Sequence, residues 1–343
     1  MTKKLLAVLL CTVMVFSLVA CGDSKDNSDD GAQGTIELKF STAVPETSSW
    51  YAGATKFSET VEAKTNGKYK ITIYPSDQLS GGNQAAGIEL LQQGSTDIHL
   101  QDAMVWSSIA EKSVIACFPW LLPTYEDVDK YVFNGEAGQA LKDIISESGC
   151  VCLGVGENGY RQVVNNRNPI HTPSDMTGLK MRVPGSNLHV NLLKYIGADP
   201  VTMSQSEVYT SLQQGAIEAT ENTLDLLYTQ NTLEVVDNLT LWNYSWDPIF
   251  LSVSEKLWNS LSDEEKVIFE EAAEEAMAYE VEVARKTVTD LVPKITEEYP
   301  DLAVVDALTD EEINAFKKAV APIYSDYRDS MGEELFAKFG YNF

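Results

Sequence analysis

The chain has 343 residues, with 51 acidic side chains against 25 lysines and arginines, a formal charge of −26. Phosphate binding needs a basic face, so this balance argues against nucleic acid as a partner. Hydrophobic residues make up 44% of the chain, as in an ordinary globular protein, and past the N-terminus no apolar run reaches membrane-spanning length.

The first element is a leader. Lys3 and Lys4 precede an apolar run from Leu5 to Leu18, and Leu18-Val19-Ala20-Cys21 has the form of a bacterial lipobox. The reading is a signal peptide over 1–20, thioether lipidation of Cys21, and a chain held on the membrane by that lipid alone. Gly22 to Gly34 is rich in Asp, Ser, Gly and Asn and reads as a solvated tether, 21–34 with its lipidated Cys. The length that remains suits two domains.

Ile36–Thr42 alternates apolar and polar residues and is predicted as a strand. Ser49–Lys64 has helical spacing and stops at Gly67; Tyr69–Tyr74 is a second strand closed by Pro75. A helix after Gly81-Gly82 runs through Leu91, and Asp97–Leu100 is a short strand, giving the β-α-β-α-β order of a parallel sheet. Phe118 to Pro123 is an apolar loop fixed by two prolines. Helices are predicted over Glu126–Phe133 and Gly138–Ser148, then a buried strand over Cys150–Val155. From Gly159 a second α/β unit begins, with strands at Val163-Val164 and Lys180–Val183, helices over Asn187–Ile196 and Ser206–Gln214, and an aromatic strand returning over Trp242–Val253. Ser262-Asp263-Glu264-Glu265 opens a capping-box helix expected to reach Leu291 and to be limited by Pro293. Thr309 opens a final helix in the same way.

Nothing in the chain has the form of a catalytic motif. His99, His171 and His189 stand beside no nucleophile signature, and no phosphate-binding loop or His-Glu-x-x-His is present. Cys117, Cys150 and Cys152 remain after Cys11 and Cys21 leave the count; without zinc spacing they read as small buried hydrophobes. No cofactor and no metal is implied. Two arginines are informative in so acidic a chain: Arg161 in Gly159-Tyr160-Arg161-Gln162, and Arg182 at the end of Leu179-Lys180-Met181-Arg182-Val183-Pro184. A guanidinium fits a carboxylate through two parallel hydrogen bonds, and ligands of α/β sheets bind beyond the carboxyl ends of strands.

These segments, with Tyr74-Pro75-Ser76-Asp77-Gln78-Leu79, Gly197-Ala198-Asp199-Pro200-Val201, Ser206 to Gly215 and Glu221-Asn222, resemble the DctP-like solute-binding proteins of tripartite ATP-independent periplasmic (TRAP) transporters. The resemblance covers about Ile36 to Tyr327. It implies an α/β, two-domain periplasmic-binding-protein-like fold with a ligand cleft between domains and a long hinge-spanning helix. Domain I is expected over 35–158 plus 247–286 and domain II over 159–246 plus 287–343, with crossings near Asn158, Trp246 and Lys286. It further implies a monomer that delivers a small carboxylate to the TRAP membrane permease subunits. Arg182 would clamp the ligand carboxylate, with Arg161 and Asn222 beside it; Thr223 stands where the family often has Pro. Gln101, Asp102, Glu157 and Gln205 would face the far end of the ligand, and Tyr244, Trp246 and Asp247 would line a further part of the cleft. The polar character of these positions favours a sugar acid such as a uronate over a C4-dicarboxylate or 2-oxo acid. The rival readings are an extracellular lipoprotein hydrolase, a ligand-sensing module and an ABC-type binding protein.

Overall fold

The computed structural model describes residues 34–343, so the leader, the tether as far as residue 33 and Cys21 lie outside the described residues. The strands are β1 (Ile36–Thr42), β2 (Tyr69–Tyr74), β3 (Ile98–Asp102), β4 (Cys150–Asn165), β5 (Lys180–Val183), β6 (Asp199–Thr202), β7 (Ala219–Thr223), β8 (Asn238–Thr240), β9 (Trp246–Ser254) and β10 (Ala303–Val305). They pair in the order β2-β1-β3-β9-β4-β7-β5-β6, with β8 on β4 and β10 on β8. Two parallel trios stand at the ends of this path. In one, β1 runs parallel to β2 and β3; in the other, β5 runs parallel to β6 and β7. The antiparallel strands β9 and β4 join them.

β4 carries the connection. Residues up to Tyr160 pair with β9, and from Arg161 onward the strand pairs with β7. The predicted break at Gly159 is not a break: one 16-residue strand runs from Cys150 through Val163 and Val164. Its glycines at 154 and 156 serve close packing. A Cβ at Gly154 would lie 2.7 Å from Met277 Cγ, and one at Gly156 2.7 Å from Glu280 Oε2, so glycine lets a helix lie directly on the strand. Gly159 has a φ of +103° at a register shift in the β4–β9 ladder, a bulge that suits glycine.

That overlying helix is Asp263–Glu298, opened by the Ser262–Glu265 capping box. It passes the expected stop, with Pro293 inside it. Leu291 and Ile295, on either side of the proline, are both buried in a cluster with Val164, Leu212 and Leu227. Packing on both sides outweighs the one backbone hydrogen bond that proline removes. β6, β7, β8 and β10 were not predicted. β7 reads Ala-Thr-Glu-Asn-Thr and is buried throughout, a polarity that no hydrophobic pattern reports.

The core has three parts. Phe40, Phe57, Tyr69 and Phe269 meet edge-to-face beneath β1 and β2, between helix Ser49–Lys64 and the long helix. A larger cluster holds Phe118, Trp242, Tyr244 and Phe316 and takes in the C-terminal helices, with Phe118 and Phe336 ring centroids 4.9 Å apart. The third lies under the end of the long helix. Cys117, Cys150 and Cys152 are buried free thiols. Burial pushes Cys150 and Cys152 up to about 12, the behaviour of packed hydrophobes rather than of reactive thiolates. Among the described residues, no helix is long and apolar enough to cross a membrane.

Candidate functional site

The carboxyl ends of strands from both parallel trios converge on one cavity. Ala43 and Val44 follow β1, Asp102 ends β3, Arg182 and Pro184 stand at the end of β5, and Asn222 lies near the end of β7. Arg161 enters from β4, and Trp50, Gln84, Gln205, Leu226 and Gln230 complete the lining.

The two arginines differ in what they hold. Arg161 is fully buried and forks onto Glu221: its Nε contacts Oε2, and its Nη2 donates to Oε1 at 2.9 Å. Its Nη1 donates to Asp247 Oδ2 at 2.7 Å. Burial alone would weaken its hold on its proton, but the attraction of Glu221 and then of Asp247 prevails and raises it well above its ordinary value. Glu221 is correspondingly held below the usual carboxylate range, because Arg161 outweighs its burial. Asp247 shares the same guanidinium yet is pushed up to about 7, because burial and the nearby Asp102 outweigh it. Glu221 and Asp247 thus share the single charge of Arg161, with Glu221 holding two of its nitrogens.

Arg182 has no such partner. Its Nε donates to the carbonyl of Met203 at 3.0 Å and its Nη1 to Gln205 Oε1 at 2.9 Å. Among the described residues, no acidic side chain forms a salt bridge with it. Burial lowers it to about 10, and Arg161 adds to this by repulsion. A desolvated, strand-mounted guanidinium bonded only to neutral oxygens is a strong site for an incoming carboxylate. Asn222 Nδ2 reaches the same Gln205 Oε1 at 3.4 Å, so two donors already converge on one oxygen.

Of the residues singled out in the sequence, Arg161, Arg182, Asn222, Asp102 and Gln205 line the cavity. Gln101, Glu157, Tyr244, Trp246 and Asp247 do not. Tyr244 donates to Glu221 Oε2 at 3.0 Å and Asp247 takes Arg161, so both stand behind that arginine and fix it. Glu157 accepts from Trp246 Nε1 at 3.2 Å and from Arg285, which also holds Asp129. Gln101 Oε1 accepts from the amide of Asp102. Trp50, Gln84, Leu226 and Gln230 were not singled out. No local motif marks them, though the rule that ligands sit beyond strand ends would have pointed to Ala43 and Val44.

The two sides of the cavity also touch. The amide of Gln205 donates to Gln84 Oε1 at 3.3 Å, Ser206 Oγ to the carbonyl of Gly82 at 3.1 Å, and the amide and hydroxyl of Ser49 to Asp225. His99 and His189 are buried and lowered to about 4, and among the described residues no acid, His and Cys cluster could hold a metal.

The sequence profile of bacterial extracellular solute-binding protein family 7 matches residues 40–330. The chain belongs to that family. Among its relatives, the 2,3-diketo-L-gulonate-binding periplasmic protein of Escherichia coli is 28% identical over 283 residues, 82% of this chain and 84% of that protein. A TRAP periplasmic solute-binding protein of Polaromonas, solved with bound D-erythronate, is 31% identical with a TM-score of 0.81 over 89% of this chain and 98% of that one. Another, from Sulfurospirillum deleyianum with bound succinate, is 28% identical with a TM-score of 0.82 over 89% and 98%. The α/β binding-protein fold expected from the sequence is the fold that these proteins share with this one.

Proposed function

We propose that this protein captures a small organic acid outside the cytoplasm, by a carboxylate held on Arg182, and delivers it to the membrane subunits of a TRAP transporter. The observation that carries this reading is the buried Arg182 fork, bonded only to neutral oxygens at the end of β5. Membership of family 7 and the acids named with its relatives, diketogulonate, erythronate and succinate, support it. The polar lining favours a sugar acid. The protein acts as a carrier rather than a catalyst. It closes on its ligand as two lobes, 35–158 plus 247–286 against 159–246 plus 287–343, and is a monomer held at the membrane by a lipid on Cys21.

The test is calorimetric titration with a hexuronate, its parent hexose and a set of short hydroxy acids. Only acids should bind. Arg182→Lys should weaken binding by about 2–5 kcal/mol, because an ammonium cannot form the fork and leaves the carboxylate underpaired. Affinity within about twofold of the wild type would remove Arg182 from the site.

A further inference from the structure

The charges that line the cavity restrict the ligand more narrowly than the word acid does. Three of its lining residues are ionisable, Arg161, Arg182 and Asp102, and the polar remainder is neutral: Gln84, Gln205, Gln230 and Asn222. Arg161 is neutralised by Glu221 and Asp247. One guanidinium is thus available to an incoming anion, and one carboxylate, Asp102, shares the cavity with it. Asp102 is 7% exposed, and its Oδ1 accepts from the amide of Val105 at 3.0 Å. Among the described residues no side chain donates to it.

We propose that the ligand is a monocarboxylate with a neutral, hydroxylated remainder, and that Asp102 both accepts a hydroxyl of that remainder and excludes a second carboxylate. This rests on capture of the first carboxylate by Arg182.

The chemistry favours a hydroxyl on each count. An ionised carboxylate only accepts hydrogen bonds, whereas a hydroxyl donates and accepts. Gln205 is already engaged, its Nε2 donating to Gln230 Oε1 at 2.6 Å and its backbone amide to Gln84 Oε1 at 3.3 Å, so the side-chain nitrogens of Gln84 and Gln230 are left to donate to the oxygens of a polyol. A second carboxylate, in contrast, would be buried with no free cation and with an acid beside it. With Arg182 taken by the first carboxylate, the groups that face Asp102 leave no unpaired positive charge for a second one. They are Arg161 on β4 and Arg182 on β5, and on the acidic side Asp77 in the turn after β2 and Asp247 on β9, with the Cys117 thiol. Burial pushes Asp102 above the ordinary carboxylate value, with Arg161, the Val105 amide and Arg182 opposing that rise. A protonated Asp102 could donate to a diacid, but keeping that proton costs about tenfold in affinity per pH unit above its pKa, which is why the comparison is made at alkaline pH. One relative holds succinate and another D-erythronate at comparable likeness, so kinship does not decide between mono- and diacids.

The experiment is calorimetry at pH 8 with matched pairs that differ only at one end: threonate against tartrate, and gluconate against glucarate, with threitol and sorbitol as neutral controls. The expected result is that the better-bound aldonate exceeds its diacid by about tenfold or more. Asp102→Asn should narrow that gap to about threefold or less by admitting the diacid. Asn caps a helix as well as Asp does, so the turn at Val105 should survive, and the wild-type comparison needs no variant. A diacid that binds the wild type as tightly as its aldonate overturns the inference and leaves acid capture standing. A gap unchanged in Asp102→Asn overturns the role of Asp102. If an alditol binds as well as its aldonate, or no acid of the series binds, acid capture falls and the inference falls with it.

Discussion

Arg161 gives its guanidinium to Glu221 and Asp247, so its removal would leave two buried carboxylates without a cation. Arg161→Met should therefore destabilise the fold by about 3–5 kcal/mol, the cost of breaking a buried pair on one side. Arg182→Met should stay within about 1 kcal/mol of the wild type, because only neutral hydrogen bonds are lost and a desolvated charge is removed with them. Urea unfolding of the two variants checks this. Equal losses would mean that the arginines play the same part in the fold. The contrast was not legible in the sequence, where both read as ligand arginines, Arg182 at a strand end and Arg161 at the start of the second α/β unit. Glu221 stood in a quoted motif, but pairing it with Arg161 required knowing that β4 and β7 are neighbours.

Two elements meet more closely than their lengths suggest. Helix Ser49–Lys64 crosses the long helix at Gly53, where a Cβ would stand 2.8 Å from Glu280 Cβ. The base of a side chain cannot swing away, so Gly53→Ala should force the helices apart and cost about 1–3 kcal/mol. An unchanged urea midpoint would show that they can slide. Glu280 itself is fully buried, with Oε2 accepting from the Glu157 amide at 2.9 Å. Burial raises it well above the ordinary value of 4.5, and that one amide offsets only part of the effect. Between 4.5 and the raised value the folded state holds a proton that the unfolded state has released, so stability falls as pH rises through that window. Glu280→Gln removes this slope. Its melting temperature should match the wild type near pH 5 and exceed it by roughly 2–4 °C at pH 8. A difference that does not change with pH would show that Glu280 does not hold the proton. Nothing in the sequence marks Glu280 as buried, because helical periodicity does not say which residues a second helix covers.

At the scale of the whole molecule, the proposed export and lipid anchoring rest on the chain's first segment, and the proposed ligand capture on the rest. Cys21→Ser should move the exported protein from the membrane fraction to the soluble one and leave ligand affinity unchanged. A mutant that is processed, exported and still membrane-bound would refute the lipid anchor. What the sequence determined by itself was local. β1, helix Ser49–Lys64, β2, β5 and helix Asn187–Ile196 have the boundaries read from periodicity and stop residues, because alternation, helical spacing and glycine or proline stops act over a few residues. The motifs around Arg161, Arg182 and Asn222 also pointed to family 7 before any contact was known. Tertiary structure decided what neighbours decide. It joined β4 across its glycines, carried the long helix past Pro293, and buried the polar strand β7. It also gave Arg161 to two acids while leaving Arg182 without one. The free energy of a buried charge depends on which groups stand within a few ångströms of it, and the order of residues along the chain does not contain that.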